Sequence, residues 1–209
     1  MLKVHHLGVS QSERIVWLCE ELGIPYDLVR YDREPTRAAP PEYKALHPVG
    51  TAPIIQDGDL VLSESGAIAE YIARRHGGGR LILGPEHPDF ADYLFWFHYA
   101  NASVLAAVMM DAVALRMGGG EAPKGRRSRT DIAFDLVEQR LAKATWFAGE
   151  EFTLADIMMV FPLTTMRLHV PRDIADRPNL LAYLQRVSAR PAYRAAMAKG
   201  DPGMTPKLT

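Results

Sequence analysis

The spacing of apolar residues divides the chain into two parts of different character. In residues 1–78 the runs LKVHHL and PYDLVRY predict strands, and the helical spacing that begins after Ser12 and stops at Gly23 predicts a helix between them. The runs PIIQ and LVLS flank the turn sequence DGD at 57–59, which predicts a hairpin. With a short helix near 42–46 and the helix GAIAEYIARRH, the predicted order is βαβαββα.

The pattern after this region is helical to the end of the chain. Residues 79–88 read as a linker, and a loop rich in glycine and arginine at 118–130 interrupts the helices. The predicted helices occupy 89–116, 130–147, 154–168, 178–190 and 191–199. We therefore expect an α/β domain at 1–78, the linker, and an all-helical domain at 89–209.

Composition excludes several functional classes. The 209 residues carry 24 basic and 25 acidic side chains, so no bulk charge directs the chain to nucleic acid or to an anionic membrane. A single cysteine, Cys19, excludes an intramolecular disulfide and fits a reducing compartment. No signal peptide is visible, and the longest apolar tract, near VLAAVMM, is too short to span a bilayer. We expect a cytoplasmic protein, and the histidines show no spacing typical of a metal site.

The segment that opens the third strand has two interpretations. Pro53 could simply begin a strand, because proline cannot donate to a sheet ladder. The strand order, with a proline in this place, also resembles the thioredoxin-like fold, which implies a cis bond and leaves the backbone of Ala52 able to pair with an extended peptide. After the hairpin, Glu64 and Ser65 begin a helix whose N–H groups suit a carboxylate, while Glu64 suits an ammonium group. Complementing the helix dipole remains the simpler alternative for Glu64.

Two serines lie between the first strand and the first helix. Ser10 follows the strand, where a hydroxyl could donate to a thiolate and lower its pKa. Either serine could instead cap the helix, and Ser12 fits the cap better because it lies nearer the first apolar helical residue.

Four short motifs, in order, carry a resemblance that covers residues 1 to about 200. SQSER at 10–14, GTAP at 50–53, SES at 63–65 and FTLAD at 152–156 resemble the cytosolic glutathione transferases, closest to the bacterial, theta-like, serine-type members. The resemblance implies a thioredoxin-like domain that binds glutathione, and an all-α domain that contributes the electrophile pocket. It also implies an enzyme that joins the glutathione thiol to an electrophilic apolar molecule, with glutathione as co-substrate and no metal.

The resemblance also implies roles for particular residues. Ser10 is expected to act on the thiol as the catalytic residue. The stretch that pairs with the cysteinyl part is Thr51, Ala52 and Pro53. Glu64 and Ser65 are expected to hold the γ-glutamyl end.

At Asn101 and Thr51 this sequence differs from the pattern of the family. The resemblance implies a homodimer in which Asn101, on the long first helix of the second domain, reaches the partner's γ-glutamyl ammonium where relatives carry an acid. Thr51 stands where many relatives have lysine or glutamine, so Arg37 or Lys44 becomes the candidate for holding the glycine carboxylate.

Two alternatives to the conjugating enzyme remain at this stage. A non-catalytic member would keep the fold as a ligand-binding or protein-interaction module, and a peroxidase or dehalogenase would use the same glutathione site. The presence of Ser10, Glu64 and Ser65 together favours the enzyme, because a pure scaffold does not need all three. The FTLAD motif is interpreted as a capping box in which Asp156 supports folding.

Overall fold

A computed structural model of the chain describes residues 1–118 and 127–209. The described chain divides into two compact units, one formed by residues 1–82 with 187–206 and the other by 83–186 with 207–209. The predicted loop rich in glycine and arginine falls mostly on 119–126, outside the described residues.

The first unit contains a mixed four-stranded sheet with helices in the predicted order. Its strands are β1 (Lys3–Leu7), β2 (Asp27–Tyr31), β3 (Ile54–Asp57) and β4 (Leu60–Ser63). Its first three helices are α1 (Glu13–Leu22), α2 (Pro41–Lys44) and α3 (Ser65–Arg75). The sheet order is β2-β1-β3-β4, with β1 parallel to β2 and antiparallel to β3. This arrangement confirms the thioredoxin-like βαβαββα prediction.

The hairpin between β3 and β4 brings two predicted motifs together. Asp57 pairs with Leu60 across a two-residue turn in which Gly58 has φ +59°, a value that favours glycine. Because the strands are antiparallel, Ile54 pairs with Ser63 at the other end. The hairpin therefore returns the chain to the start of α3 directly beside the residues that open β3.

The helices that follow differ from the prediction in two places. They are α4 (Phe90–Tyr99), α5 (Ala106–Arg116), α6 (Arg129–Leu141), α7 (Leu154–Leu163), α8 (Met166–His169), α9 (Pro178–Ala189) and α10 (Pro191–Gly200). The helix predicted at 130–147 ends at Leu141. The helix predicted at 154–168 is interrupted at Thr164, since Pro162 supplies no N–H and the Thr164 hydroxyl bonds the Val160 carbonyl at 2.8 Å.

The long predicted helix at 89–116 is helical throughout, with a π-helical segment, Ala100–Leu105, between α4 and α5. Its stretch Phe90–Ala114 is long and apolar enough to cross a membrane by length and composition alone. Within the second unit, however, Tyr93, Trp96 and Phe97 are buried, and the Trp96 ring lies 5.0 Å from that of Phe147. Part of this stretch therefore packs in the core of the second unit, while Phe95, Met109, Met110 and Val113 are exposed.

The last helix belongs to the first unit. The expected division places everything after residue 88 in the helical domain, whereas the structure groups 187–206 with the sheet. The reason is the apolar face of α10, which packs on α1 with Tyr193 against the Trp17 ring at 5.0 Å. Arg190 adds a two-pronged ion pair to Glu21 on α1, at 2.6 and 2.8 Å.

Candidate functional site

The two serines of the β1–α1 loop are both buried and bonded to each other. The Ser10 hydroxyl donates to the Leu7 carbonyl at 2.7 Å, and its oxygen lies 2.8 Å from that of Ser12. Ser12 occupies the N-cap position of α1, but its hydroxyl makes no capping bond and instead accepts from the Leu7 N–H at 3.1 Å. The expected capping role of Ser12 is therefore wrong, because the hydroxyl faces β1 and the residue has helical rather than extended dihedral angles.

The backbone of this loop is held from two sides. Val9 has φ +50°, a left-handed conformation that is uncommon for a β-branched residue. Its N–H donates to Asp201 Oδ1 at 2.8 Å, and the Arg33 guanidinium donates to the carbonyls of Gly8 and Val9 at 2.8 and 3.3 Å. These charged contacts stabilise the turn that presents Ser10.

The residues before β3 have the geometry that peptide pairing requires. The Ala52–Pro53 bond is cis, as the thioredoxin-like resemblance implies. Ala52 lies just outside the strand, and in the described chain neither its N–H nor its C=O makes a backbone hydrogen bond. Ala52 packs in a cluster with Tyr43 of α2, so its backbone position is fixed by burial. Thr51, immediately before it, is exposed.

The start of α3 carries the second predicted group. Glu64 is exposed and has φ +75°, which is uncommon for a residue with a side chain. Ser65 is the first helical residue and is buried. The Ser63 hydroxyl donates to the Pro53 carbonyl at 3.3 Å, which fixes this helix start beside the cis bond. The N–H groups in the first turn of a helix suit a carboxylate.

Arg14 connects the two halves of the site, and the sequence interpretation did not assign it a role. Its guanidinium is 1% exposed and donates to Gln11 Oε1 at 3.0 Å and to Ser65 Oγ at 3.2 Å. Burial lowers the pKa of Arg14 to about 9, against the opposing effect of Glu13, so the side chain is still a cation at neutral pH. Its position next to the apolar run at 15–19, on the buried part of α1, is the sequence signal that could have identified it.

Cys19 and Asn101 lie in different units. Cys19 is fully buried on α1, and burial, with the Glu20 charge, raises the pKa of its thiol. Asn101 is half-buried and lies in the π-helical segment of the second unit. No group of three or more His, Cys, Asp or Glu side chains that could hold a metal occurs in the part of the chain that the structure describes.

Comparisons with known proteins agree with the fold. The model of the glutathione S-transferase N-terminal domain matches residues 1–74, and that of the C-terminal domain matches residues 99–191. Glutathione S-transferase 3 of Schizosaccharomyces pombe is 34% identical, over 95% of this chain and 88% of the relative. Glutathione S-transferase GstB of Escherichia coli K12 is 30% identical, over 88% of this chain and 91% of its own length.

The solved structures give the same answer. The crystal structure of a glutathione S-transferase from Actinobacillus pleuropneumoniae has a TM-score of 0.85 and 36% identity, over 97% of this chain and 95% of that one. A thioredoxin-like domain with a cis-proline edge, followed by an all-α domain, defines the class of protein. The chain belongs to the glutathione S-transferase family, and its activity is that of a glutathione transferase.

Proposed function

We propose that glutathione lies along the edge formed by Thr51, Ala52 and Pro53, with its γ-glutamyl end at Glu64 and Ser65. The cysteinyl N–H and C=O would pair with the outward-facing backbone of Ala52, as in strand addition. The γ-glutamyl carboxylate would meet the N–H groups of the first turn of α3, and its ammonium would meet the Glu64 carboxylate. The contact between Ser63 and the Pro53 carbonyl supports this arrangement, because it holds both half-sites together.

Arg14 strengthens the carboxylate half of this proposed site. A buried cation that donates to Ser65 Oγ places positive charge beneath the helix N-terminus. Lys44 of α2 is our candidate for the glycine carboxylate. Its side-chain carbons lie 3.7 to 3.8 Å from the point where a Cβ on Gly50 would stand, so it borders the GTAP segment.

The chemistry we propose is activation of the glutathione thiol by Ser10, which makes this a serine-type member. A free thiol titrates near about 8.5, so most glutathione is protonated at neutral pH. A hydroxyl hydrogen directed at the sulfur favours the thiolate and lowers the thiol pKa. The thiolate then attacks an electrophilic apolar molecule. The observation that carries the proposal is the clamped loop, in which Ser10 is presented by a turn bonded to Asp201 and Arg33.

The assembly we propose is a homodimer in the cytoplasm. Asn101 would accept a hydrogen bond from the ammonium of glutathione bound to the partner. A buried, unpaired Cys19 supports a reducing compartment. Asn101→Asp should tighten glutathione binding by less than about 1.5 kcal/mol, the excess of a charged over a neutral hydrogen bond. A monomer by light scattering would rule out the contribution across the dimer, and a dimer with unchanged affinity would remove the role of Asn101.

Retention on immobilised glutathione, followed by conjugation of a chloronitrobenzene, tests the activity. Ser10→Ala removes one charged hydrogen bond, roughly 1.5 to 3 kcal/mol. The pKa of bound glutathione should therefore rise by about one to two units while affinity stays nearly constant. The matched control is Thr51→Ala, an exposed side chain whose backbone alone enters the proposal. A Ser10→Ala variant with an unchanged thiol pKa would assign thiol activation to another group.

A further inference from the structure

Four polar side chains form a buried chain of contacts beneath the β1–α1 loop. Ser10 Oγ lies 2.8 Å from Ser12 Oγ, which lies 2.9 Å from His6 Nδ1. His6 Nε2 in turn lies 3.2 Å from Asp201 Oδ2, an ion-pair contact rather than a well-aligned hydrogen bond. None of the four residues is more than 5% exposed, and His6 and Ser12 are fully buried. The contacts run from a serine to a histidine to an aspartate. Because Ser12 is fully buried, however, it is no nucleophile for an external substrate.

The aspartate end of the chain is ionised. Burial by itself raises the pKa of Asp201, but the His6 ring, the Val9 N–H and the Arg30 charge outweigh it and bring that pKa below its usual range. Because His6 Nε2 faces a carboxylate, Nε2 carries a hydrogen in both protonation states of the ring. The Nδ1 atom, which faces Ser12, carries one only when the ring is charged.

Counting donors and acceptors at Ser12 shows what the Nδ1 hydrogen controls. Ser12 Oγ already accepts from the Leu7 N–H at 3.1 Å. If His6 also donates, both lone pairs are used, so the Ser12 hydrogen goes to Ser10 Oγ at 2.8 Å, a closer acceptor than the Leu7 carbonyl at 3.3 Å. Ser10 Oγ then accepts from that hydroxyl and from the Ser12 N–H at 3.2 Å. The Ser10 hydrogen is left for an acceptor other than these four side chains, which is the Leu7 carbonyl at 2.7 Å in this structure.

When His6 Nδ1 carries no hydrogen, the two hydroxyls have different partners. With a bare Nδ1, Ser12 donates to His6, and Ser12 Oγ becomes the acceptor for Ser10. Ser12 Oγ is then a buried acceptor that competes with a thiolate for the Ser10 hydrogen. The hydrogen on one buried nitrogen thus decides whether Ser12 Oγ competes for the Ser10 hydrogen.

We propose that His6, held by Asp201, is a positioning residue that donates to Ser12 and thereby leaves the Ser10 hydrogen for the glutathione thiolate. The inference rests on the proposed role of Ser10. No proton passes along the chain: the thiol proton leaves to solvent, and each hydroxyl only rotates. No substrate touches His6, which acts through the two serines.

The surroundings of His6 hold the ring in place. Gly200 packs on it so closely that an added Cβ would lie 3.2 Å from Nε2. Arg30, its register partner on β2, and Arg33, which follows that strand, are the cations whose charges act on Asp201 or respond to it. The acidic group that faces the ring is Asp201 at the end of α10.

Two amide substitutions separate the two nitrogen atoms of His6. In His6→Asn the amide nitrogen takes the place of Nδ1 and can still donate to Ser12. In His6→Gln it takes the place of Nε2, keeps the contact with Asp201 and leaves Ser12 without a donor. We expect His6→Gln to raise the pKa of bound glutathione by about one unit and to lower kcat about tenfold near neutral pH. His6→Asn should stay within about twofold of wild type, and KM for glutathione should change less than about twofold in both, since neither touches α3 or the cis bond.

Thiolate absorbance during a pH titration gives the thiol pKa, and circular dichroism confirms folding. Equal losses in both variants, or a folded His6→Gln with the wild-type thiol pKa, would overturn the inference. If the thiol pKa changes in Ser10→Ala but not in His6→Gln, the positioning role alone is rejected. If the thiol pKa does not change in Ser10→Ala, the proposed function is rejected. Nitrogen NMR of the His6 ring in the wild-type protein needs no variant: a hydrogen on Nδ1 near neutral pH supports the inference, and a bare Nδ1 refutes it.

Discussion

Asp156 allows a sharp test of how burial and capping combine in the helical domain. Its carboxylate is completely buried and accepts from the Phe147 N–H at 3.0 Å and the Thr153 N–H at 2.9 Å. Thr153 Oγ1 in turn accepts from the Ala155 N–H, which completes the capping box expected from FTLAD. Burial raises the pKa of Asp156 to about 6, although these hydrogen bonds oppose the shift.

The substitution Asp156→Asn keeps the shape and replaces one acceptor by an NH₂ group. Whichever way the amide turns, either the Phe147 or the Thr153 N–H then faces a donor. An unpaired buried donor costs about 1 to 3 kcal/mol. We therefore expect a loss of that size in the free energy of unfolding at mildly acidic pH.

The raised pKa of Asp156 determines how its contribution to stability changes with pH. A folded pKa of about 6 against 3.8 is a rise of roughly two units, or about 3 kcal/mol in all. The folded state binds more protons between these values, so the contribution of Asp156 to stability falls as pH rises through them. Roughly half of this change, about 1.5 kcal/mol, lies between about pH 5 and about pH 8. The asparagine cannot titrate, so its disadvantage should shrink by that amount over this range.

Urea unfolding of wild type and variant at the two pH values measures the double difference, in which the other carboxylates cancel. Asp59→Asn, in the exposed turn of the hairpin, is the matched control and should show no such change. A disadvantage for Asp156→Asn that is constant with pH would refute the burial argument. An Asp156→Asn variant as stable as the wild type at the acidic pH would refute the role of the capping network.

Three further outcomes follow from the first unit. Cys19 should resist alkylating reagents in the native protein and react only on unfolding, because its thiol is buried with a raised pKa; rapid labelling in native buffer would contradict this. The hydrogen bonds from His76 and then Tyr71 lower the pKa of Asp57, so the stability that Asp57 contributes is present above the unfolded pKa and is lost as pH falls through the folded one. Asp57→Asn should therefore flatten the acid limb of a stability–pH curve, and an unchanged limb would count against it. Glu64→Ala should weaken glutathione binding by roughly 1 to 3 kcal/mol in calorimetry without loss of fold, and equal affinity would mean that the ammonium lies elsewhere.

The sequence alone predicts the features that are local or periodic. The βαβαββα order, the two-residue hairpin turn at 58–59 and the capping box at Thr153 and Asp156 each depend on residues close together in the chain, so their patterns can be recognised without a structure. The motifs GTAP and SES are also local, and the hairpin register that joins them follows from the turn. Each of these predictions depends on residues within one helix, one strand or one turn.

Only the tertiary structure decided the contacts between distant parts of the chain. Ser12 looks like a cap in sequence, yet its hydroxyl turns to β1, where Leu7 and His6 offer better partners. Asp201 bonds the Val9 N–H across 192 residues because α10 packs on α1 rather than with the other late helices. Arg14 finds Ser65 across 51 residues for a similar reason. Periodicity shows which face of a helix is buried, but which other element that face meets depends on how all the faces fit together.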